Sequence, residues 1–303
     1  MYINDLELAH GEHAFACVDD QIVMRKPKMP KRWKFWKEFP KETEIDARLS
    51  QFQVPRVEVI AKETHFVVPE VWPELAFALL QHGCPNVHFW WLSVDNFPLT
   101  SLKQLLHQKL IRSCSNLCQS EYAADFARKN GATDVTMLTD FIDLDEIAAP
   151  IPTEDRTYDI CYLPNKARGA DEIWSELEQD FNLVPLQNMS RAEIVSTLAD
   201  CKIFLDCGFH PGKDRVPREA ALCGCLPLVR REGAARFEND VPLPDSLFAP
   251  TELFLEPQRL RSKIHDVLES SAKFDGVLEQ YRTVIRGERE VFEEELRALI
   301  ARV

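Results

Sequence analysis

No stretch of this chain approaches the roughly 20 apolar residues that a helix needs to cross a bilayer. The first ten residues, MYINDLELAH, carry acids where a secretory signal would carry a basic flank and an apolar core. The expectation from these absences is a cytoplasmic, soluble protein. No Pro/Gly/Ser tract and no internal repeat is present, which excludes linker-rich and solenoid chains. No GxGxxG follows a first strand, which argues against an NAD-type enzyme. A positive balance is missing as well: the formal charge of −13 disfavours a surface that binds nucleic acid or acidic membrane over its whole extent. The nine cysteines, at 17, 84, 114, 118, 161, 201, 207, 223 and 225, are odd in number and scattered along apolar segments, as expected of reduced core thiols. Cys223-Gly-Cys225 and Cys114-x3-Cys118 each imitate half of a metal site, but neither has a complementary His or Cys cluster, and no structural zinc is expected.

What is present is ordinary for a globular chain, with 45% hydrophobic and 28% charged residues. A length of 303 residues favours two domains of average size. AFACVDDQIVMRK reads as a hairpin turning at Asp19-Asp20. From Val54 the pattern alternates: VEVIA and HFVVPE as strands, PELAFALLQHG as a helix ended by Gly83, VHFWWLS as a buried strand, then helix, strand (SNLCQS), helix and strand (VTMLTDFI). Periodicity fails near residues 144–157, which is the expected linker between domains 1–150 and 151–303. Beyond it the alternation restarts with YDICYLP, GADEIWSELEQD, FNLVPL, MSRAEIVSTLAD, KIFLDC and CLPLVRR. Ser190 and Glu193 have capping-box spacing. The tail from Pro257 is helical, with an interruption expected at Phe274-Asp275-Gly276. Alternation of this kind predicts an α/β fold with parallel sheets covered on both faces.

Two basic features stand out in this acidic chain. Eight of the 36 basic residues lie between Arg25 and Lys41, interleaved with Trp33, Phe35 and Trp36. This segment reads either as a docking surface for an anionic membrane, nucleic acid or acidic acceptor polymer, or as a solvated face anchored by its aromatics. The second feature is KIFLDCGFHPGKDRVPREAALCGCLPLVR, from Lys202 to Arg230. It reads as a buried strand, a polar loop with His210, Gly212, Lys213, Asp214, Arg215 and Arg218, a helix with Glu219 in its first turn, and another buried strand. A helix N-terminus attracts anions, and Lys or Arg beside it adds charge-assisted hydrogen bonds to phosphate. In open parallel sheets ligands bind beyond the carboxyl ends of strands. Other such ends carry Asn165, Lys166, Arg168 and Gly169, then Gln187, Asn188, Met189 and Ser190, then Arg231 to Ala235.

The order of these loops resembles the donor-binding domain of GT-B glycosyltransferases. PREAALCG supplies Glu219, Ala220 and Gly224 in the E-A-x-x-x-G pattern of that superfamily, and NKARG looks like its earlier basic loop. SEYAADFARKNGATDVTMLTDFID resembles the last strand-helix-strand passage of the N-terminal domain. The form HPGKDRxPREAA looks like a bacterial or phage polysaccharide-type subgroup. The resemblance covers roughly residues 60–250 and implies two Rossmann-like domains facing a cleft. It implies transfer of a sugar from a nucleotide diphosphate, of UDP or GDP type, to the hydroxyl of a glycan, a lipid-linked glycan or a modified nucleic acid. Lys213 and Arg215, followed by Lys166, Arg168 and Arg218, are the implied phosphate partners, with Asn188 beside them and Glu219 on sugar or ribose hydroxyls. Pro211 stands where retaining members often carry a second Glu, and the glycine-rich turn of the N-terminal domain is missing, so the stereochemistry stays open. No DxD pair sits in the donor domain, and metal-independent catalysis is expected, with basic loops stabilising the leaving diphosphate.

A base on the acceptor side is also implied for an inverting reaction. Asp95 and Glu70 are the candidates because each follows a predicted buried strand; a turn cap and a helix-dipole acid are their structural alternatives. His210 is the best-placed histidine, whereas His88 and His65 read as strand or core residues. Asp140, Asp143 and Asp145 read either as an acidic cluster or as a solvated helix start. The competing function is a non-catalytic nucleotide-sugar or polyanion-binding protein of the same fold.

Overall fold

The computed structural model describes residues 6–7, 14–18, 21–25, 59–61, 63–97, 104–166 and 171–302. Contacts divide the chain into two units, Met1–Val68 with Trp72–His88, and Pro69–Val71 with Phe89–Val303. The first contains a four-stranded antiparallel sheet of β1 (Leu6–Glu7), β2 (Ala14–Val18), β3 (Gln21–Arg25) and β4 (Val59–Ala61), in that order. The β2–β3 pairing runs antiparallel from Ala14↔Arg25 to Val18↔Gln21, as the alternation predicts, and the expected turn at Asp19-Asp20 lies outside the described residues. Residues 26–41 lie outside the described residues. His65 Nδ1 and His88 Nε2 meet at 3.0 Å.

Strands β5 (Phe66–Pro69), β6 (Val87–Trp91), β7 (Ser115–Cys118) and β8 (Val135–Met137) follow one another in a second sheet, with β7 and β8 parallel. Helix α1 (Pro73–Gln81) lies between the first two of these strands in sequence, α2 (Gln104–Ser113) precedes β7, and α3 (Glu121–Lys129) follows it. Pro73 opens α1 where its missing N–H costs nothing, and Ser120 caps α3 by accepting from the Ala123 N–H at 3.1 Å.

The third sheet carries the functional loops. It consists of β9 (Tyr158–Tyr162), β10 (Leu183–Pro185), β11 (Cys201–Asp206), β12 (Leu226–Arg230) and β13 (Phe248–Ala249). All its pairings are parallel, and the strands lie side by side as β10-β9-β11-β12-β13. Helices α4 (Asp171–Leu177), α5 (Arg191–Ala199), α6 (Arg215–Leu222), α7 (Pro257–Glu269) and α8 (Asp275–Ile300) accompany it. Side-chain alternation along β11 sends Ile203 and Leu205 into a core shared with α4, α7 and α8, and Phe204 into another shared with α5 and α6. Burial on both faces is why KIFLD reads as a continuous apolar run. Mixed α/β architecture with parallel sheets is therefore established.

Two boundaries differ from expectation. α6 begins at Arg215, so Glu219 sits in its second turn and no acid occupies the first. Pro217 does not delay the helix, because first-turn N–H groups have no intrahelical partner to lose. In the tail the interruption is a 3-10 turn at Ser271–Phe274, and Asp275 and Gly276 already belong to the 26-residue α8. The 144–157 segment holds two short 3-10 turns, Leu144–Glu146 and Thr153–Asp155. Among the described residues no helix is long and apolar enough to cross a membrane.

Candidate functional site

The strand order of the third sheet selects one crevice. From β9 the chain passes to β10 on one side and then returns to β11 on the other. The loops leaving β9 and β11 thus diverge, and the gap between their carboxyl ends is the place where doubly wound sheets bind ligands. A 3-10 turn at Pro164–Lys166 follows β9, and Asp206 ends β11.

Four ionisable groups meet there. Lys166 Nζ pairs with the Asp214 carboxylate. His210, with 0% exposure, places Nδ1 3.1 Å from Asp214 Oδ2 and Nε2 3.6 Å from Asp206 Oδ2. Asp206 also accepts the Gly208 N–H at 3.0 Å. Burial pulls the Lys166 ammonium down, but Asp206 and Asp214 reverse that and raise it. Burial likewise opposes protonation of His210, and the same two carboxylates overcome it. Burial would raise Asp214, yet His210 and Lys166 hold it below the usual carboxylate range. Lys166, Asp206, His210 and Asp214 are thus gathered around one crevice, with Lys166 held at the strand ends.

Close backbone approach positions the loop. A Cβ on Gly208 would lie 2.7 Å from Lys166 Cδ. At Gly212 it would lie 2.2 Å from the Leu92 carbonyl oxygen and 2.8 Å from Gln119 Oε1. Leu92 and Gln119 follow β6 and β7, so the loop presses on the carboxyl ends of second-sheet strands. There the Val94 N–H donates to the Pro211 carbonyl at 2.8 Å and the Lys213 N–H to Gln119 Oε1 at 3.1 Å. Gly233 has φ +58, and a Cβ there would come within 2.0 Å of the His210 carbonyl oxygen.

The other predicted cations are engaged elsewhere. Lys213 Nζ lies 2.8 Å from Glu288 of α8. Arg218, 1% exposed, bonds Glu288 at 2.7 Å and Asp140 at 3.0 Å, and donates to the carbonyls of Lys213 and Asp214 at 2.9 and 3.2 Å. Arg215 is half exposed and bridges Glu146, at 3.0 Å, to Glu219. Glu219 is fully buried and is also held by Arg191 at the start of α5. Asn188 is exposed in the loop after β10 with φ +56, a conformation that Asn tolerates better than most residues. Arg168 lies outside the described residues.

The two base candidates are placed differently. Glu70 is buried and accepts from the Leu92 and Ser93 N–H groups at 3.0 and 3.1 Å and from Asn96 Nδ2 at 3.1 Å, which ties its carboxylate to the turn after β6. Asp95 is exposed on that turn; partial burial of the carboxyl and the Asp214 charge nonetheless push it up. Its field also reaches Tyr122, whose ring meets Phe209 and Phe237 at centroid distances of 5.9 and 6.0 Å.

Asp206, Gln119 and Arg191 were not singled out as site residues from sequence. Asp206 had a signal, a lone acid ending a buried strand, whereas the roles of Gln119 and Arg191 depend on contacts across 94 and 28 residues. Asp240 was also missed: its carboxylate accepts the Glu121 and Tyr122 N–H groups at 2.8 and 3.0 Å and so caps α3.

No family model matches the chain, and no curated protein matches it in sequence. Among solved structures it is similar to sucrose-phosphate synthase (tll1590) from Thermosynechococcus elongatus, with 11% identity and a TM-score of 0.55, over 76% of this chain and 78% of that one. Likeness at that identity speaks for the fold alone, an α/β fold with parallel sheets.

Proposed function

We propose that the chain is a glycosyltransferase that moves a sugar from a nucleotide diphosphate to an acceptor hydroxyl, with the donor at the β9/β11 crevice. The observation that carries this reading is the convergence of Lys166, Asp206, His210 and Asp214 at the switch point of a parallel sheet, pressed against loops from second-sheet strands. Two Rossmann-like layers facing a cleft are part of the proposal. Lys166 exchanges Asp214 for the donor diphosphate and stabilises charge growing on it as the sugar leaves. Protonated His210 holds Asp214 in place during that exchange. Glu219, fixed by Arg191 and Arg215, receives ribose or sugar hydroxyls, and Arg215 supplies a more exposed cation nearby.

Asp95 takes the acceptor proton, and its raised carboxyl suits a general base. Direct attack of the acceptor oxygen on the anomeric carbon inverts that centre, so an inverted product from labelled donor is expected. A retained product would remove Asp95 from this role. The acceptor is a glycan hydroxyl of the kind used in polysaccharide assembly, and the basic segment Arg25–Lys41 serves it or an anionic surface.

The test is a thermal-shift screen across nucleotides and nucleotide sugars. A bound ligand at about 100 times its dissociation constant stabilises by about 2.7 kcal/mol. Transfer or slow hydrolysis of labelled sugar by the wild type, lost in Glu219→Ala with folding retained, separates an enzyme from a binding protein of the same fold. Absence of a shift with every nucleotide would sink the proposal.

A further inference from the structure

We propose that Cys161, Cys201 and Cys225 form a binding site for a soft, thiophilic metal cation in the core of the third sheet. The three residues come from neighbouring strands: Cys161 lies in β9, Cys201 opens β11, and Cys225 immediately precedes β12. Their Sγ atoms lie within 4.8 Å of one another, and all three side chains are fully buried. Thiolates bind zinc at about 2.3 Å, which places sulfurs of a shared ion roughly 4 Å apart. Shifts of about half an ångström, well within rotamer adjustment, would bring the three onto one ion.

The surroundings favour a soft cation over a hard one. The thiols pack with Phe204, Val195, Leu198, Ala199 and Ala220, which supply no oxygen ligand from their side chains. Among the described residues no further His, Cys, Asp or Glu joins the group at that spacing. A dry, three-sulfur set selects thiophilic ions such as Cu⁺, Zn²⁺ or Cd²⁺ and rejects Mg²⁺ or Ca²⁺.

A second observation concerns Arg156, which is 8% exposed. Its guanidinium donates to the carbonyls of Ile151, Cys201 and Gly224 at 2.9, 3.0 and 2.7 Å, and among the described residues it makes no ion pair. A buried cation without an anion is costly. When three thiols each release a proton to solvent and bind one divalent ion, the centre carries one negative charge. Arg156, bonded to the backbone of Cys201 and of the residue before Cys225, is placed to balance it. A surface cavity of about 420 Å³ is lined by Arg156 and by Lys202 and Gly224, the chain neighbours of Cys201 and Cys225.

Core packing alone accounts for isolated buried cysteines. It does not account for three sulfurs converging from positions 161, 201 and 225 beside an unbalanced guanidinium. The site is separate from the proposed donor crevice, so failure of either leaves the other standing.

The full chain, reduced and freed of metal with a chelator, is titrated with Cd²⁺ and, separately, with Zn²⁺ and with Cu⁺ under anaerobic conditions, each against a competing chelator. Expected are one ion per chain from at least one of these titrations, a thiolate-to-metal charge-transfer band with Cd²⁺ or Cu⁺, and a raised melting temperature. Cys201→Ser and Cys225→Ser are each expected to weaken binding by about tenfold or more, and Cys223→Ser to leave it unchanged. If either serine variant fails to fold, the wild-type stoichiometry and band decide. No stoichiometric binding by the wild type, or equal binding by folded Cys201→Ser and Cys225→Ser, would overturn the proposal.

Discussion

Arg218 offers the sharpest energetic test of how the proposed donor loop is held. Its guanidinium is 1% exposed, and Glu288, its main partner, is 4% exposed. Asp140 takes the other face, and the carbonyls of Lys213 and Asp214 accept the remaining donors. Burial opposes the charge, yet Asp140 and Glu288 raise the guanidinium further, so it stays ionised. Removing one partner from a buried pair leaves an uncompensated charge and costs about 3–5 kcal/mol. Arg218→Met is therefore expected to lose about that much, and Glu288→Leu a similar amount, because it strands both Arg218 and Lys213. The double variant removes both charges and should lose less than the sum, with a coupling of about 1–3 kcal/mol. Urea unfolding followed by far-UV circular dichroism measures all four corners of the cycle. A loss below about 1 kcal/mol for Arg218→Met, or strictly additive losses, would refute the reasoning. If Arg218 instead contacts donor phosphate, the same variant would keep its stability and lose nucleotide affinity.

Two further outcomes follow from contacts already described. Gly212→Ala forces a Cβ against the Leu92 carbonyl and Gln119, and since backbone has little room to yield, the loss should be about 1–3 kcal/mol, with weakened nucleotide binding. Thermal melts and nucleotide titration read both. For Asp240, burial outweighs the two backbone N–H donors and pushes the carboxyl up to about 6. A folded value above the unfolded one means that its contribution is fully present below about pH 4 and fades as pH rises towards 6. Asp240→Asn lacks that titration, so its stability relative to wild type should improve by about 2 kcal/mol from pH 4 to pH 6.5. Parallel unfolding curves for both proteins across this range would contradict the assignment.

Several readings that depended on short-range pattern match the structure, although the first-turn acid of α6 and the break at Phe274-Asp275-Gly276 do not. The antiparallel pairing of β2 with β3 follows from the alternation of AFACV and QIVMR. Ser190 and Glu193 form the capping box that their spacing predicts, with both reciprocal bonds made. The Lys202–Arg230 run does fold as strand, loop, helix and strand, and His210 lies at its centre. Long-range pairing was not legible. Lys213 and Arg218 looked like solvated phosphate ligands because Glu288, which engages both, lies at least 70 residues later on α8. Lys166 looked secondary because its neighbour at the strand ends, Asp206, is separated from it by 40 positions. Glu70 and Asp95 looked alike from sequence, and only the turn after β6 distinguishes a carboxylate tied to backbone from one open to solvent. The thiol trio was invisible for the same reason: spacing rules examine nearby cysteines, whereas this group is assembled by strand order.

Lys166 at the β9/β11 crevice is proposed as the cation that binds the nucleotide diphosphate. Isothermal titration of the full chain with UDP, GDP and their sugar conjugates, alongside Lys166→Ala, tests it most directly. Loss of one charge-assisted contact is worth about 1.5–3 kcal/mol, or roughly tenfold to a hundredfold in affinity. One-to-one binding of at least one of these nucleotides by wild type, and a loss of that size in the folded variant, are expected. Equal affinity in the two proteins, or no binding by a folded wild type, would contradict it.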